Sequence, residues 1–96
     1  MEALQAGDII YDSWGYEQTN VDFYKIIEIK GRTATIQELG QDKKYTSSMS
    51  GETTPSEKTI SEPIKKRICT DNSIKINESV RLSKWDGKPK FFSEYA

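Results

Sequence analysis

The chain has 96 residues, 34% hydrophobic and 30% charged, with 14 basic and 15 acidic side chains and a formal net charge of −1. This length suits one domain over residues 1–96 with a single thin core. No apolar run approaches the roughly 18 residues of a membrane helix, and the N-terminus does not read as a signal peptide, so no membrane partner is expected.

The side chains present exclude several kinds of chemistry. The chain has no histidine, which removes the commonest general base and the Ser–His and Cys–His nucleophile pairs. Its one cysteine, Cys69, excludes an internal disulfide and is typical of a reducing cytoplasm. We therefore expect a cytoplasmic protein that is not an enzyme and needs no cofactor or metal.

The apolar inventory favours strands. The chain has 11 isoleucines, 8 threonines and 10 aromatic residues but only 3 leucines and 4 alanines. Branched and aromatic side chains fit a pleated sheet, whereas the best helix formers are scarce. No window shows the 3.6-residue period of an amphipathic helix, so the composition predicts an all-β fold.

The first half predicts a hairpin at the centre of a sheet. Gly7 to Tyr11 begins the sheet, and Val21 to Ile29 is the clearest strand because apolar residues lie on both of its faces. The turn Lys30-Gly31-Arg32 follows, where Gly31 is free to adopt a positive φ, and Thr33 to Leu39 returns as the partner strand. A second turn over 39–42 and a weaker strand over 43–49 come next.

Residues 46–63 predict a flexible loop. They contain nine Ser or Thr residues, two prolines and one glycine. Such a segment buries too little apolar surface to offset the entropy lost on ordering.

The second half predicts three further strands and a closing hairpin. The strands are Ile64 to Ile68, Ile74 to Ile76 and Ser79 to Trp85, and Asp86-Gly87 predicts a tight turn between 80–82 and 90–92. Pro89 places the last strand at an edge, and one of Phe91 and Phe92 must leave the core. Six or seven short antiparallel strands predict a small, partly closed barrel of SH3-like or OB-like size.

The segment 14–20 carries the first candidate contact residues. Aromatic and amide side chains on a loop held by a rigid sheet suit a protein interface, and here they are Trp14, Tyr16, Gln18 and Asn20. The alternative is that Trp14 folds back as a lid on the sheet. Trp85 and Tyr95 are further candidate contacts, although packing of Trp85 beside the turn is the plainer interpretation. An exposed ring near the C-terminus could also serve a homodimer interface.

Basic residues in the second half suggest a different partner. Residues 1–42 carry a net charge of −5 and residues 43–96 a net charge of +4. The triplet Lys65-Lys66-Arg67 and Lys88, interleaved with aromatic residues, have the composition of a single-stranded nucleic-acid or nucleotide site. The overall charge of −1 argues against a free-standing nucleic-acid binder.

Four carboxylates lie close together in the first 22 residues: Asp8, Asp12, Glu17 and Asp22. Their spacing matches no calcium-binding loop, and no glycine-rich phosphate loop accompanies them. An acidic solvent-facing surface is the favoured interpretation, with catalysis or imitation of DNA phosphates as lesser alternatives.

Two stretches resemble a group of small proteins of phages and mobile elements. They are Gly7 to Tyr11 with Ser13 to Tyr24, which contains WGYEQTNVDFY, and the C-terminal Trp85-Asp86-Gly87-Lys88-Pro89 with its aromatic tail. The resemblance implies a host-directed role, including inhibition of a defence protein in the manner of an anti-CRISPR protein. It supplies no catalytic residues.

Together these observations predict a binding protein that docks on a host protein. The alternative is a module that binds single-stranded nucleic acid or a nucleotide through its basic second half.

Overall fold

The computed structural model describes residues 4–15, 19–70, 73–76 and 81–93. Over these residues the chain forms strands, turns and extended segments without a helix, so the all-β prediction is confirmed. The eight strands are β1 (Ile9–Trp14), β2 (Asn20–Lys30), β3 (Thr33–Tyr45), β4 (Ser50–Thr59), β5 (Ile64–Arg67), β6 (Ile74–Lys75), β7 (Arg81–Lys84) and β8 (Lys90–Ser93).

All of these strands pair antiparallel, in the order β6-β7-β1-β2-β3-β4-β8. The seventh pairing is off this path: β5 lies on the same edge of β3 as β4, further toward the start of β3. The predicted hairpin at Gly31 is confirmed, since Lys30 pairs with Thr33 and Gly31 has a φ of 58°. This hairpin of β2 and β3 is the centre of the sheet.

The sheet carries a separate core on each side. Core one contains Ile10, Ile26 and Ile36 of the central strands, together with Leu4, Ala34, Ile74 and Leu82. Core two contains Val21, Phe23, Leu39 and Phe92. Since successive side chains of a strand point to opposite sides, we call these sides face one and face two.

A bulge in β2 keeps its apolar side chains on the correct face. The register shifts between Ile26 and Glu28, so that Ile27 is the extra residue and is 43% exposed. Ile29 therefore packs against core one, on the same side as Ile26, although it lies an odd number of residues further along. Because of the bulge, Ile26 and Ile29 pack on the same face of the sheet, although regular alternation along the strand would place them on opposite faces.

The prediction of a loop over residues 46–63 is wrong for its central part, which forms β4. Gly51 to Thr53 of β4 lie between β3 and β8 and pair with both. Gly51 and Thr53 are buried there, and Thr53 donates a hydrogen bond of 2.7 Å to Gln41 Oε1. Two flanking strands satisfy the backbone, and threonine suits a strand, so the segment needs few apolar side chains.

The predicted turn over 39–42 and the separate strand over 43–49 are also wrong. β3 runs unbroken from Thr33 to Tyr45, and Gly40 lies within it at a register shift between β3 and β4. The glycine is accommodated as a strand residue beside a bulge, as glycines in strand interiors often are.

The hairpin predicted at Asp86-Gly87 is wrong as well. The strands on either side do not pair with each other: β7 pairs with β1 and β6, whereas β8 pairs with β4. The local turn exists, because Asp86 Oδ1 accepts a hydrogen bond from the Lys88 amide and Gly87 has a φ of 84°. A turn motif fixes the direction of the chain locally, but tertiary pairing decides which strands meet.

The last strand lies at an edge, as Pro89 predicted, and its two phenylalanines divide as expected. Phe92 is 2% exposed in core two and Phe91 is 59% exposed on the other side. The sheet curls so that Ser93 and Thr19 bond to each other, but β8 and β6 do not pair. The sheet of described residues is therefore not closed, and the barrel is not confirmed.

Candidate docking surface

A cluster of acidic side chains lies on face one, beyond core one. Asp12 is directly opposite Asp22, and Tyr24 is directly opposite Glu38. Opposed residues of a sheet point to the same side, as do residues two apart on one strand. The strands β1, β2 and β3 thus bring three carboxyl groups and one phenol together.

Asp12 is the most buried of the three carboxyl groups, with 5% exposure. Its Oδ1 accepts a hydrogen bond of 3.1 Å from the Asp22 amide. Burial, followed by the charge of Asp22 and a side-chain hydrogen bond with it, raises the pKa of Asp12 to about 7. The prediction of a purely solvent-facing acidic surface is therefore wrong for Asp12, which the cross-strand pairing removes from water.

The neighbouring groups also experience a negative environment. Burial and then the charge of Asp22 raise the pKa of Glu38. Burial, followed by the charges of Glu38, Asp22 and Asp12, raises the pKa of Tyr24 to about 12. The pKa values of Asp12, Glu38 and Tyr24 are all raised, and a nearby cation would lower them.

Two other carboxylates of the sequence cluster do not join this group. Asp8 is bonded to the Gln5 amide and lies 3.9 Å from Lys84 Nζ. Glu17 lies outside the described residues.

Trp14 lies at the rim of the acidic cluster. Its ring is 48% exposed and belongs to neither core, so the structure does not place it as a lid. Trp14 Nε1 donates a hydrogen bond of 2.8 Å to Asp22 Oδ2, which fixes the orientation of the indole. Asn20 is directly opposite Trp14, and both line a cavity of about 170 Å³ with Asp22, Gln41, Lys43 and Phe92.

Two exposed isoleucines lie on the other side of the cluster. Ile64 is opposite Ile36 of face one and is 41% exposed, and Ile60 is 61% exposed. The Ile60 amide donates to the Glu38 carbonyl, which holds that residue beside the cluster. We define the docking surface as Trp14, Asp22, Tyr24, Glu38, Ile60 and Ile64.

Trp85 has the packing role that was the plainer interpretation. Its ring meets Phe23 edge-on with centroids 5.9 Å apart, and its Nε1 donates a 2.8 Å hydrogen bond to the Lys88 carbonyl. Phe23 belongs to face two, so Trp85 and Trp14 do not form one surface. Tyr16, Gln18 and Tyr95, the other sequence candidates, lie outside the described residues.

The candidate basic residues are not brought to one place. Lys65, Lys66 and Arg67 are consecutive residues of β5, so Lys66 points to the opposite side from its neighbours. Lys88 lies in the turn between β7 and β8, where its carbonyl accepts from Trp85. The three basic residues are therefore contiguous in the sequence, but their side chains lie on two different surfaces.

The docking surface contains residues that the sequence did not single out. The sequence did not indicate that Tyr24 and Glu38 are neighbours, because their pairing depends on the register shift at the Ile27 bulge. Ile60 fell within the supposed loop. Its large apolar side chain in a polar segment was the one available signal.

Within the residues described, no group of three or more Asp, Glu or Cys side chains has an arrangement that could hold a metal ion. The same part of the chain has no helix long and apolar enough to cross a membrane. No protein-family model matches the chain, and the comparisons with curated proteins and with solved structures found no match.

Proposed function

We propose that this chain is a non-enzymatic binding protein that docks on another protein through the docking surface. The observation that supports this most strongly is the exposed Trp14, held in one orientation by Asp22 at the rim of an acidic cluster. Tryptophan dominates the energetics of protein interfaces, and a fixed ring loses little entropy on binding.

The charges of the surface suggest the chemistry of the partner. Asp22 and Glu38 lie close enough for the charge of one to raise the pKa of the other. A lysine or arginine of the partner would relieve this repulsion and gain charge-assisted hydrogen bonds. We therefore propose a partner that presents basic side chains between two apolar contacts, one at Trp14 and one at Ile60 and Ile64.

The biological role proposed for this docking is inhibition of a host defence protein in the host cytoplasm, by a chain of phage or mobile-element origin. This part rests on the resemblance of the Trp14 and Trp85 segments alone. A small, partly closed barrel of SH3-like or OB-like type is the architecture that would fit such a module, with the curled sheet as its support.

The second candidate is binding of single-stranded nucleic acid or a nucleotide through Lys65, Lys66, Arg67 and Lys88. It has less support, since the side chains of these residues point in different directions. One residue of this basic region, Arg67, nevertheless lines a cavity of about 420 Å³.

Substitution of Trp14 tests the docking proposal. Tagged wild-type protein is used to recover a partner from host lysate treated with nuclease, and the purified pair is then titrated. We expect Trp14→Ala to weaken binding at least about tenfold, the scale of an interface hot spot. Unfolding free energy should fall by only about 1 kcal/mol, since the ring is half exposed and loses one hydrogen bond.

Phe91→Ala provides the matched control. Phe91 is also an exposed aromatic residue on a strand, 59% exposed, but lies outside the docking surface. We expect it to leave the affinity unchanged. Equal affinity for wild type and Trp14→Ala would contradict the proposed surface, and recovery of a partner that nuclease removes would favour the second candidate.

A further inference from the structure

A groove lined by cations lies at the end of the sheet away from Trp14. One cavity of about 420 Å³ is lined by Arg32, Arg67, Ile68, Cys69, Thr70 and Lys75. A second cavity of about 240 Å³ shares four of these residues and adds Leu4, Ile29 and Gly31. The two cavities are neighbours that share these four residues, and the larger one carries all three cations. We call the larger cavity the basic groove.

The strand pairing explains how the cations come together. Ile68 bonds through its amide to the Arg32 carbonyl at 2.7 Å and forms an antiparallel bridge with Ile74. Arg67 precedes Ile68 and Lys75 follows Ile74, so this bridge brings both residues to the same cavity. Lys75 is in turn opposite Arg81 in the next pair.

Such a row of like charges is unfavourable by itself. Cations directly opposite each other on neighbouring strands repel, and sheets usually place a carboxylate between them. Arg32, Arg67 and Lys75 have no ion pair with any residue that the structure describes. Over the described residues, the fold thus assembles three cations around a cavity without pairing them with a carboxylate.

The residues that line the basic groove indicate the chemistry of a ligand. Guanidinium and ammonium groups with the Thr70 hydroxyl are suitable donors for phosphate oxygens. Ile68 in the lining offers apolar contact to an organic group, and the volume of about 420 Å³ is in the range of small-molecule sites. Among the described residues that line the groove there is no aromatic ring for stacking bases, which disfavours an extended single strand.

We propose that the basic groove binds a small organic phosphate of the nucleotide class. Its phosphates contact Arg32, Arg67 and Lys75, and its organic part lies against Ile68. This site is separate from the docking surface, so it stands or falls independently of the docking proposal, and it shares only Arg67 with the second candidate.

Calorimetric titration at low ionic strength tests the proposal, with ATP, inorganic pyrophosphate, adenosine and a single-stranded oligonucleotide as probes. We expect ATP to bind more tightly than pyrophosphate, and adenosine not to bind. Arg67→Ala and Lys75→Ala should each weaken ATP binding about tenfold, because each removes a charge-assisted contact. Lys58→Ala removes an exposed cation of β4 outside the groove and should change nothing.

A charge reversal separates binding from folding. Arg67→Glu replaces the repulsion with Lys75 by attraction, so its melting temperature should rise while ATP binding is lost. Absence of ATP binding to the wild type would overturn the proposal, as would equal ATP affinity in all variants. Oligonucleotide binding that depends on Arg67, without binding of ATP or pyrophosphate, would overturn it in favour of a nucleic-acid site.

Discussion

Gly51→Ala is expected to lower the free energy of unfolding by about 3 kcal/mol, near the upper end of the cost of overpacking a core. Gly51 is buried in β4 between Tyr45 of β3 and Phe92 of β8. A Cβ at this position would meet the Lys44 carbonyl oxygen and lie 2.8 Å from Tyr45 Cα. Both are backbone atoms of the neighbouring strand, so relief requires the two strands to separate.

Chemical denaturation of Gly51→Ala and Gly40→Ala provides the comparison. Gly40 is also a strand glycine, but its Cβ would first meet the end of the exposed Ile60 side chain at 3.4 Å. We expect Gly40→Ala to change stability by less than about 1 kcal/mol, since a flexible side chain can move and alanine restricts the unfolded chain. Equal effects of the two substitutions would contradict the pairing described for β4.

Asp12→Asn is expected to stabilise the protein at pH 8 and to have little effect below pH 4. Burial and the charge of Asp22 raise the pKa of Asp12 to about 7 in the folded state, well above its ordinary value of 3.8. A raised pKa means that the folded state prefers the protonated form. The corresponding stability is complete below pH 4 and is lost as the pH rises toward and through 7.

The amide of asparagine stays neutral at every pH and can still accept from the Asp22 backbone through Oδ1. The gain at pH 8 should be on the order of 2 kcal/mol, which is less than the full linkage of about three pKa units at 1.36 kcal/mol each, because the strands can relax. Unfolding curves at pH 4, 6 and 8 measure this difference. Asp42→Asn, which removes an exposed carboxylate of β3, is the control, and a parallel pH dependence for both variants would refute the assignment.

The central hairpin could be predicted from the sequence because its signals are local. Isoleucines and aromatic residues around a single glycine define β2, the turn and the start of β3 without reference to the rest of the chain. The division of Phe91 and Phe92 could be predicted for the same reason, since alternation along a strand is a property of two adjacent residues.

The features that the sequence did not predict depend on distant partners. The register near the turn follows Lys30 opposite Thr33, which without a bulge would place Tyr24 opposite Leu39. The extra residue Ile27 moves Glu38 into that position instead. Nothing in the residue types around Ile27 reveals the shift, so the acidic cluster could not be assembled from the sequence alone.

The strand β4 illustrates a second limit. The composition of a segment indicates only how much apolar surface its own side chains can bury. Residues 46–63 contain few apolar side chains and therefore did not predict a strand. The strand forms because β3 and β8 satisfy its backbone on both sides, and because Gly51 permits Phe92 and Tyr45 to approach, with ring centroids 5.1 Å apart. The strand therefore depends on its two neighbouring strands and not on its own composition.

The short connection between β7 and β8 has a consequence for the order of folding. These strands lie near opposite ends of the path β7-β1-β2-β3-β4-β8, five strand spacings apart, or about 24 Å in a flat sheet. Six steps of fully extended chain span at most about 22 Å, and this connection is folded into a turn. A flat sheet cannot accommodate it. We expect the hairpins of β1 to β4 to form and curl first, and β8 to arrive last over Phe23 and Leu39.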